Sequence, residues 1–142
     1  MYKTILVPTD IAHLAEGKLT VDLAVDHASD DTRIVLLNVI EEIPSWASVA
    51  IPTEIIQKST TDAQDELKAV ANASGRKMDV IVRTGHSYSI ILDVAKEVES
   101  ELIIIASHRP GLQDYFLGST AAKVVRHAPC SVLVVRPLLS RY

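Results

Sequence analysis

Five short runs of aliphatic and β-branched residues constrain what this chain can become. They are Thr4 to Val7, Ile34 to Ile40, Val80 to Val82, Leu102 to Ala106 and Ser131 to Val135. They are nearly continuous in apolar character rather than alternating. A strand that is apolar on both sides must be covered on both faces, as in a parallel sheet between helical layers. Segments with helical spacing separate the runs: Leu14 to Ala28, Glu54 to Ala73, Ile90 to Val98 and Ser119 to His127. Ser87 stands ahead of the third as a candidate N-cap. Strict strand–helix alternation implies right-handed crossovers and a three-layer α/β sandwich. The expected architecture is a five-stranded parallel sheet in the order 3-2-1-4-5, Rossmann-like, with helices on both faces. All 142 residues fit one domain.

That strand order places a topological switch point between strands one and four, where open parallel sheets bind ligands at the carboxyl ends of their strands. Strand one ends in Val7-Pro8-Thr9-Asp10 and strand four in Ala106-Ser107-His108. The loop after strand four contains Arg109, Gly111 and Gly118 and closes on Gly118-Ser119-Thr120 at a helix start. A helix start offers unpaired N–H groups and the positive end of the helix dipole, which suits an anion and above all a phosphate. Gly111 and Gly118 admit close backbone approach or a positive φ. His108 and Arg109 add donors, and a guanidinium grips phosphate oxygens well. The pattern is neither a Walker loop nor the dinucleotide Gly-x-Gly-x-x-Gly fingerprint. Ser119 has an ordinary reading as the cap of the last helix, compatible with anion binding because both use the same helix end. Asp10 can accept from ribose hydroxyls or help hold a metal, or can cap a turn.

Composition narrows the partners. The formal net charge is −4 and the 14 Lys and Arg residues are dispersed. This argues against broad electrostatic binding to nucleic acid or to an anionic membrane. Cys130 is the single cysteine, so no intrachain disulfide forms, and it reads as a small hydrophobe opening a strand. No apolar run reaches membrane-spanning length, and the first is too short for a signal peptide, so a cytoplasmic protein is expected. Glu41 to Thr53 holds Pro44, Trp46 and Pro52 and reads as a long surface excursion. Trp46 there suits a partner surface, a cover over a nucleotide, or core packing. Residues 138 to 142 read as a loose tail or a dimer contact. His127 offsets a helix dipole, Gly85 makes a turn with His86 near the crevice mouth, and His13 and His27 are surface positions. No Ser–His–Asp order or zinc-ligand spacing stands out.

A family resemblance covers nearly the whole chain. The opening Met1-Tyr2-Lys3-Thr4-Ile5-Leu6-Val7-Pro8-Thr9-Asp10 and the strand Leu36-Leu37-Asn38-Val39-Ile40 resemble the universal stress protein family. The stretch from Gly118-Ser119-Thr120 through Ala128-Pro129-Cys130 to Val135-Arg136 is the specific part of that likeness. The form Ala106-Ser107-His108-Arg109-Pro110 is similar to the small bacterial single-domain branch that includes universal stress protein F. Nucleotide-binding members of the family hold ATP through a Gly-x-x-Gly motif followed, nine residues on, by Gly-Ser/Thr. Gly118 and Ser119 match its end. Ala106 and Arg109 occupy the first and second glycine positions, the loop is one residue short, and Gly111 lies nearby. By this resemblance Pro8, Thr9 and Asp10 border ribose and adenine, and Val39 meets adenine through its backbone. Ser107, His108 and Thr120 complete the phosphate side. The resemblance also implies homodimers through the last strand, residues 131 to 135.

These readings lead to an ATP-binding regulatory protein, with Mg²⁺ as a possible companion of the phosphates. It would signal through nucleotide occupancy and dimerisation. Asp10 and His108 are the only candidate general bases near the phosphate position, and both are more easily assigned to binding, so at most slow ATP hydrolysis is expected. Two alternatives stand beside this one. The first is a protein-interaction module of the same fold without nucleotide. The second is a weak hydrolase or transferase of a phosphorylated or adenylated substrate.

Overall fold

The computed structural model describes residues 1–11, 14–42, 46, 51–107 and 117–136, with the backbone alone for residues 14–16. Nine elements alternate along them: β1 (Thr4–Pro8), α1 (Leu14–Asp26), β2 (Arg33–Glu41), α2 (Thr53–Ala73), β3 (Asp79–Gly85), α3 (Ser87–Glu97), β4 (Leu102–Ala106), α4 (Ser119–His127) and β5 (Ser131–Val135). The five strands form one sheet in the order β3-β2-β1-β4-β5, and every neighbouring pair is parallel. Fold class and strand order are those the apolar runs and their spacing imply.

The continuous apolar character of the strands has the expected cause. Along β1, β2 and β4, successive side chains feed two separate cores. Ile5, Val7, Ile34, Leu36, Leu102 and Ile104 join Val21, Ala24, Leu67 and Ala71 on the face covered by α1 and α2. Leu6, Val35, Leu37, Ile103 and Ile105 join Ile91, Val94, Ala121 and Val124 under α3 and α4. Both sides of each central strand are thus dry, and no alternation of polar with apolar residues survives in the sequence.

Two local expectations are corrected. β3 runs from Asp79 to Gly85, beyond the apolar core Val80 to Val82. It is an edge strand, and its outer positions Arg83 and Thr84 pair with Val39 and Ile40 while keeping polar side chains. The N-cap of α3 is His86, not Ser87; Ser87 is the first helical residue, and its hydroxyl donates to the Glu41 carboxylate.

At the amino end of the sheet, polar groups close on one another. Thr32 Oγ1 donates to Tyr2 O (2.8 Å) and accepts from Ser29 N–H (2.9 Å). The Arg76 guanidinium, from the turn after α2, donates to Ser29 O (2.5 Å) and Thr32 O (2.7 Å). Arg33 Nε donates to Asp79 Oδ2 at 2.5 Å.

Candidate functional site

At the carboxyl end of the sheet, the β1 arm is built around Thr9. Pro8 is the last β1 residue in register, opposite Leu37. Past it the chain leaves the ladder, yet Thr9 stays tied to β2. Its N–H donates to Leu37 O at 2.7 Å, and its carbonyl accepts from Asn38 Nδ2 at 2.9 Å. The Thr9 hydroxyl donates to Val7 O (3.1 Å), and the residue is only 4% exposed. From the other side, helix α1 presses against Thr9: a Cβ on Gly17 would lie 2.8 Å from Thr9 Cγ2. Asp10 follows immediately and is exposed. Val39, next to Asn38, is half-buried and packs against the core under α3 and α4.

The β4 arm is built around Ser107. Ala106 pairs with Val135 and is half-buried. Ser107 is wholly buried; its N–H donates to Val135 O (2.9 Å) and its carbonyl accepts from Gly118 N–H (2.7 Å). One hydrogen bond therefore pins the two ends of the intervening loop together. Gly118, not Ser119, is the N-cap of α4, and no side chain caps the helix. Ala122 N–H makes the first intrahelical bond, to Gly118 O at 2.9 Å. The N–H groups of Ser119, Thr120 and Ala121 thus have no acceptor within the helix, and they gather at the positive end of its dipole. Ser119 is exposed and Thr120 half-buried.

Two further expectations are corrected at this arm. Gly118 has φ −59° and ψ 153°, a conformation open to any residue, so positive φ is not why a glycine stands there. Its amide is already given to Ser107, so the amides without an acceptor inside α4 are those of Ser119, Thr120 and Ala121. His108, Arg109 and Gly111 lie outside the described residues, as do residues 138 to 142 and His13.

The remaining sequence candidates have the following surroundings. Trp46 is 83% exposed, which removes core packing from its readings. The His86 ring meets Tyr88 edge-on at 5.4 Å, and Lys123 Nζ lies 4.6 Å over the Tyr88 ring. His27 Nδ1 pairs with Leu23 O at 2.8 Å on the surface, and His127 is exposed at the end of α4. Cys130 is half-buried with Sγ 3.9 Å from Ser100 Oγ, and burial pushes its thiol pKa up, the opposite of a reactive thiolate. Among the described residues no group of three or more His, Cys, Asp or Glu is placed to hold a metal, and no helix is long and apolar enough to cross a membrane.

A cavity of about 550 Å³ opens at the opposite end of the sheet, lined by Asp30, Thr32, Arg33, Arg76, Lys77 and Asp79. Its size does not make it the functional site. Arg33 is spent on Asp79, and Arg76 on two backbone carbonyls. The carboxyl end has the reverse character, with a helix start whose first amides have no acceptor inside the helix and no side-chain cap.

Two residues of this crevice escaped the sequence reading. Asn38 was visible as the one polar residue in an otherwise apolar run, and Gly17 as a glycine inside a helical segment. Both are signals of a special local demand.

The profile of the Universal stress protein family matches residues 1–136. The chain belongs to that family. Universal stress protein G of Escherichia coli O157:H7 is 29% identical over 145 residues, covering 96% of this chain and all of that protein. Among solved structures, the hypothetical protein MJ0577 superposes with a TM-score of 0.80 at 27% identity, over 99% of both chains. A universal stress protein in complex with cAMP has a TM-score of 0.71 at 19% identity, over 95% of this chain and 97% of that one. An Arabidopsis thaliana member with AMP bound has a TM-score of 0.63 at 16% identity, over 96% and 92%. The last two likenesses establish the shared fold.

Proposed function

We propose that the chain binds an adenine nucleotide, ATP, in the crevice between the ends of β1 and β4, and acts through nucleotide occupancy rather than turnover. One observation carries this reading. The uncapped start of α4 is tied by the Gly118–Ser107 hydrogen bond to the end of β4, at the switch point of the sheet. Helix starts of this kind are preorganised anion sites. The nucleotide complexes of two neighbours in the same fold, one with cAMP and one with AMP, agree with it.

In this reading the donors of the crevice suit a nucleotide. Ser119, Thr120 and Ala121 offer amides to a phosphate, and the Ser119 and Thr120 hydroxyls add two more donors. Gly118 contributes by carrying no side chain where phosphate approaches. Ala106 and Ser107 form the floor beneath that position, and His108, Arg109 and Gly111, in the sequence between Ser107 and Gly118, belong to the phosphate side of the site. Across the crevice Pro8, Thr9 and Asp10 border the ribose and adenine, Thr9 through its backbone because its side chain is turned inward. Asp10 accepts from ribose hydroxyls, and the backbone of Val39 meets the base. Mg²⁺ serves as counter-ion to the phosphates.

Two copies pair through β5. It is an outer strand of the sheet, with Val132, Leu133 and Val134 half-buried and one edge unpaired within the sheet. Apolar edges of this kind favour pairing with another strand. Sedimentation at micromolar concentration yields a dimer if this is right, and a monomer if it is not.

Calorimetric titration of ATP tests the binding site. Gly118→Val should weaken ATP by at least about tenfold, since a branched side chain fills the phosphate position; equal affinity in the two proteins overturns the reading. A second reading, a nucleotide-free interaction module, draws on the Gly118 amide already spent on Ser107 and on Ala106 at a motif glycine position. Acid extraction of freshly purified protein separates the two. An adenine spectrum, or a thermal shift on adding ATP, supports the first; neither supports the second.

A further inference from the structure

We propose that Asn38 and Gly17 are positioning residues for the adenosine side of the crevice: together they clamp Thr9 from two sides and so fix Asp10 relative to Val39. The inference rests on the nucleotide reading above and adds to it the parts that set the geometry of one arm.

Each residue is locally unfavourable, and both converge on Thr9, Asn38 on its carbonyl and Gly17 on its side-chain methyl. Asn38 is 6% exposed inside a central strand, on the same face as Ile34 and Leu36. An amide buried there is costly unless it is hydrogen-bonded. Its Nδ2 is bonded, to Thr9 O at 2.9 Å. Thr9 O lies beyond the last in-register pair of β1 and β2, Pro8 with Leu37, so the ladder itself does not reach it. The Asn38 side chain extends the pairing by one residue after the backbone has departed. Gly17 sits inside α1, where glycine destabilises a helix relative to alanine. A Cβ at Gly17 would stand 2.8 Å from Thr9 Cγ2 and 3.9 Å from Asp10 O. A side chain at position 17 would therefore push α1 away or push Thr9 out of place.

β1 needs neither device merely to end. Thr9 N–H is already held by Leu37 O at 2.7 Å. What the pair adds is a fixed distance between two neighbours in sequence of the clamp. Asp10 follows Thr9, and Val39 follows Asn38, so the bond from Asn38 to Thr9 ties together the residue beside the ribose and the residue beside the base. Holding both in place before the ligand arrives removes an ordering cost from binding.

The test uses the full chain and two probes, AMP and ATP, by calorimetry. AMP affinity reports on the adenosine side, and the ratio of ATP to AMP affinity reports on the phosphate side. Asn38→Leu keeps the bulk and removes the donor; Gly17→Ala acts on Thr9 from the opposite side. Each variant should lose about tenfold in AMP affinity, with the ATP-to-AMP ratio kept within about twofold. Should Asn38→Leu fail to fold, Asn38→Ser takes its place, and Gly17→Ala stands independently. Unchanged AMP affinity in both variants overturns the inference. A ratio that collapses together with AMP affinity also overturns it, because it marks general loosening rather than positioning. If the unaltered protein binds neither nucleotide, the functional reading itself falls. If that protein binds and the variants match it, only this inference falls.

Discussion

The two ends of one sheet have been built to opposite specifications. At the amino end, loops from three parts of the chain meet, and their polar groups satisfy one another: Thr32 with Tyr2 and Ser29, Arg76 with Ser29 and Thr32, Arg33 with Asp79. At the carboxyl end, α4 starts without a side-chain cap and α3 starts the same way. A cavity of about 550 Å³ lies at the first end, yet the amides without an acceptor inside their own helix lie at the second. The lesson is that room alone does not mark a site. A helix start whose first amides have no acceptor inside the helix is the stronger mark.

This contrast predicts that stability and binding can be broken separately. The largest effect is expected from Arg76→Ala. It removes two charge-assisted hydrogen bonds to half-buried carbonyls, at a cost of about 2 kcal/mol. Denaturant unfolding should shift accordingly while ATP affinity stays put; a loss of affinity would show that the ends are coupled. Gly118→Val is the mirror case. Its tenfold or greater loss of ATP affinity corresponds to about 1.4 kcal/mol, with stability changed by no more than about 0.5 kcal/mol. Thr32→Val keeps the shape of a buried side chain but removes its hydroxyl from Tyr2 O and Ser29 N–H; about 1 kcal/mol of stability should go, again without effect on the nucleotide.

The smallest effect is a pH dependence that belongs to neither end. The Arg83 guanidinium holds the Glu97 carboxyl below its ordinary value of 4.5 through a paired contact, both bonds 2.8 Å. Because the folded pKa is depressed, the contribution is present above 4.5 and fades as the pH falls through the lower folded value. The pair is exposed, so the effect is slight. Glu97→Gln should lower stability slightly near neutral pH and converge on the parent protein in strong acid. A gap that widens in acid would contradict the sign.

Much of the fold was legible because burial on both faces writes itself into composition. β4 and β5 begin and end where their apolar runs do, and the strand order follows from alternation plus the family pattern. The edge strand β3 was read short, since half-exposed positions such as Arg83 and Thr84 carry no apolar signal. Caps were misplaced by one residue at α3 and α4. The hydroxyls of Ser87 and Ser119 fit a cap chemically, but which residue turns the chain into the helix is decided by how the preceding strand ends. The family resemblance sets Thr9 beside the ligand, and its side chain is turned to the protein interior, a feature the sequence does not reveal. Asn38 and Gly17 were hidden for a different reason. Their meaning lies in a contact across 29 residues of sequence in one case, and in the absence of a side chain in the other.

Amide spectra of ¹⁵N-labelled protein during an ATP titration address the central claim directly. Saturable shifts are expected at Thr9, Asp10, Val39, Ser119 and Thr120, with Arg33, Arg76 and Lys77 unmoved. Shifts confined to the amino end of the sheet, or no saturable shift at all, would contradict a nucleotide site between β1 and the start of α4.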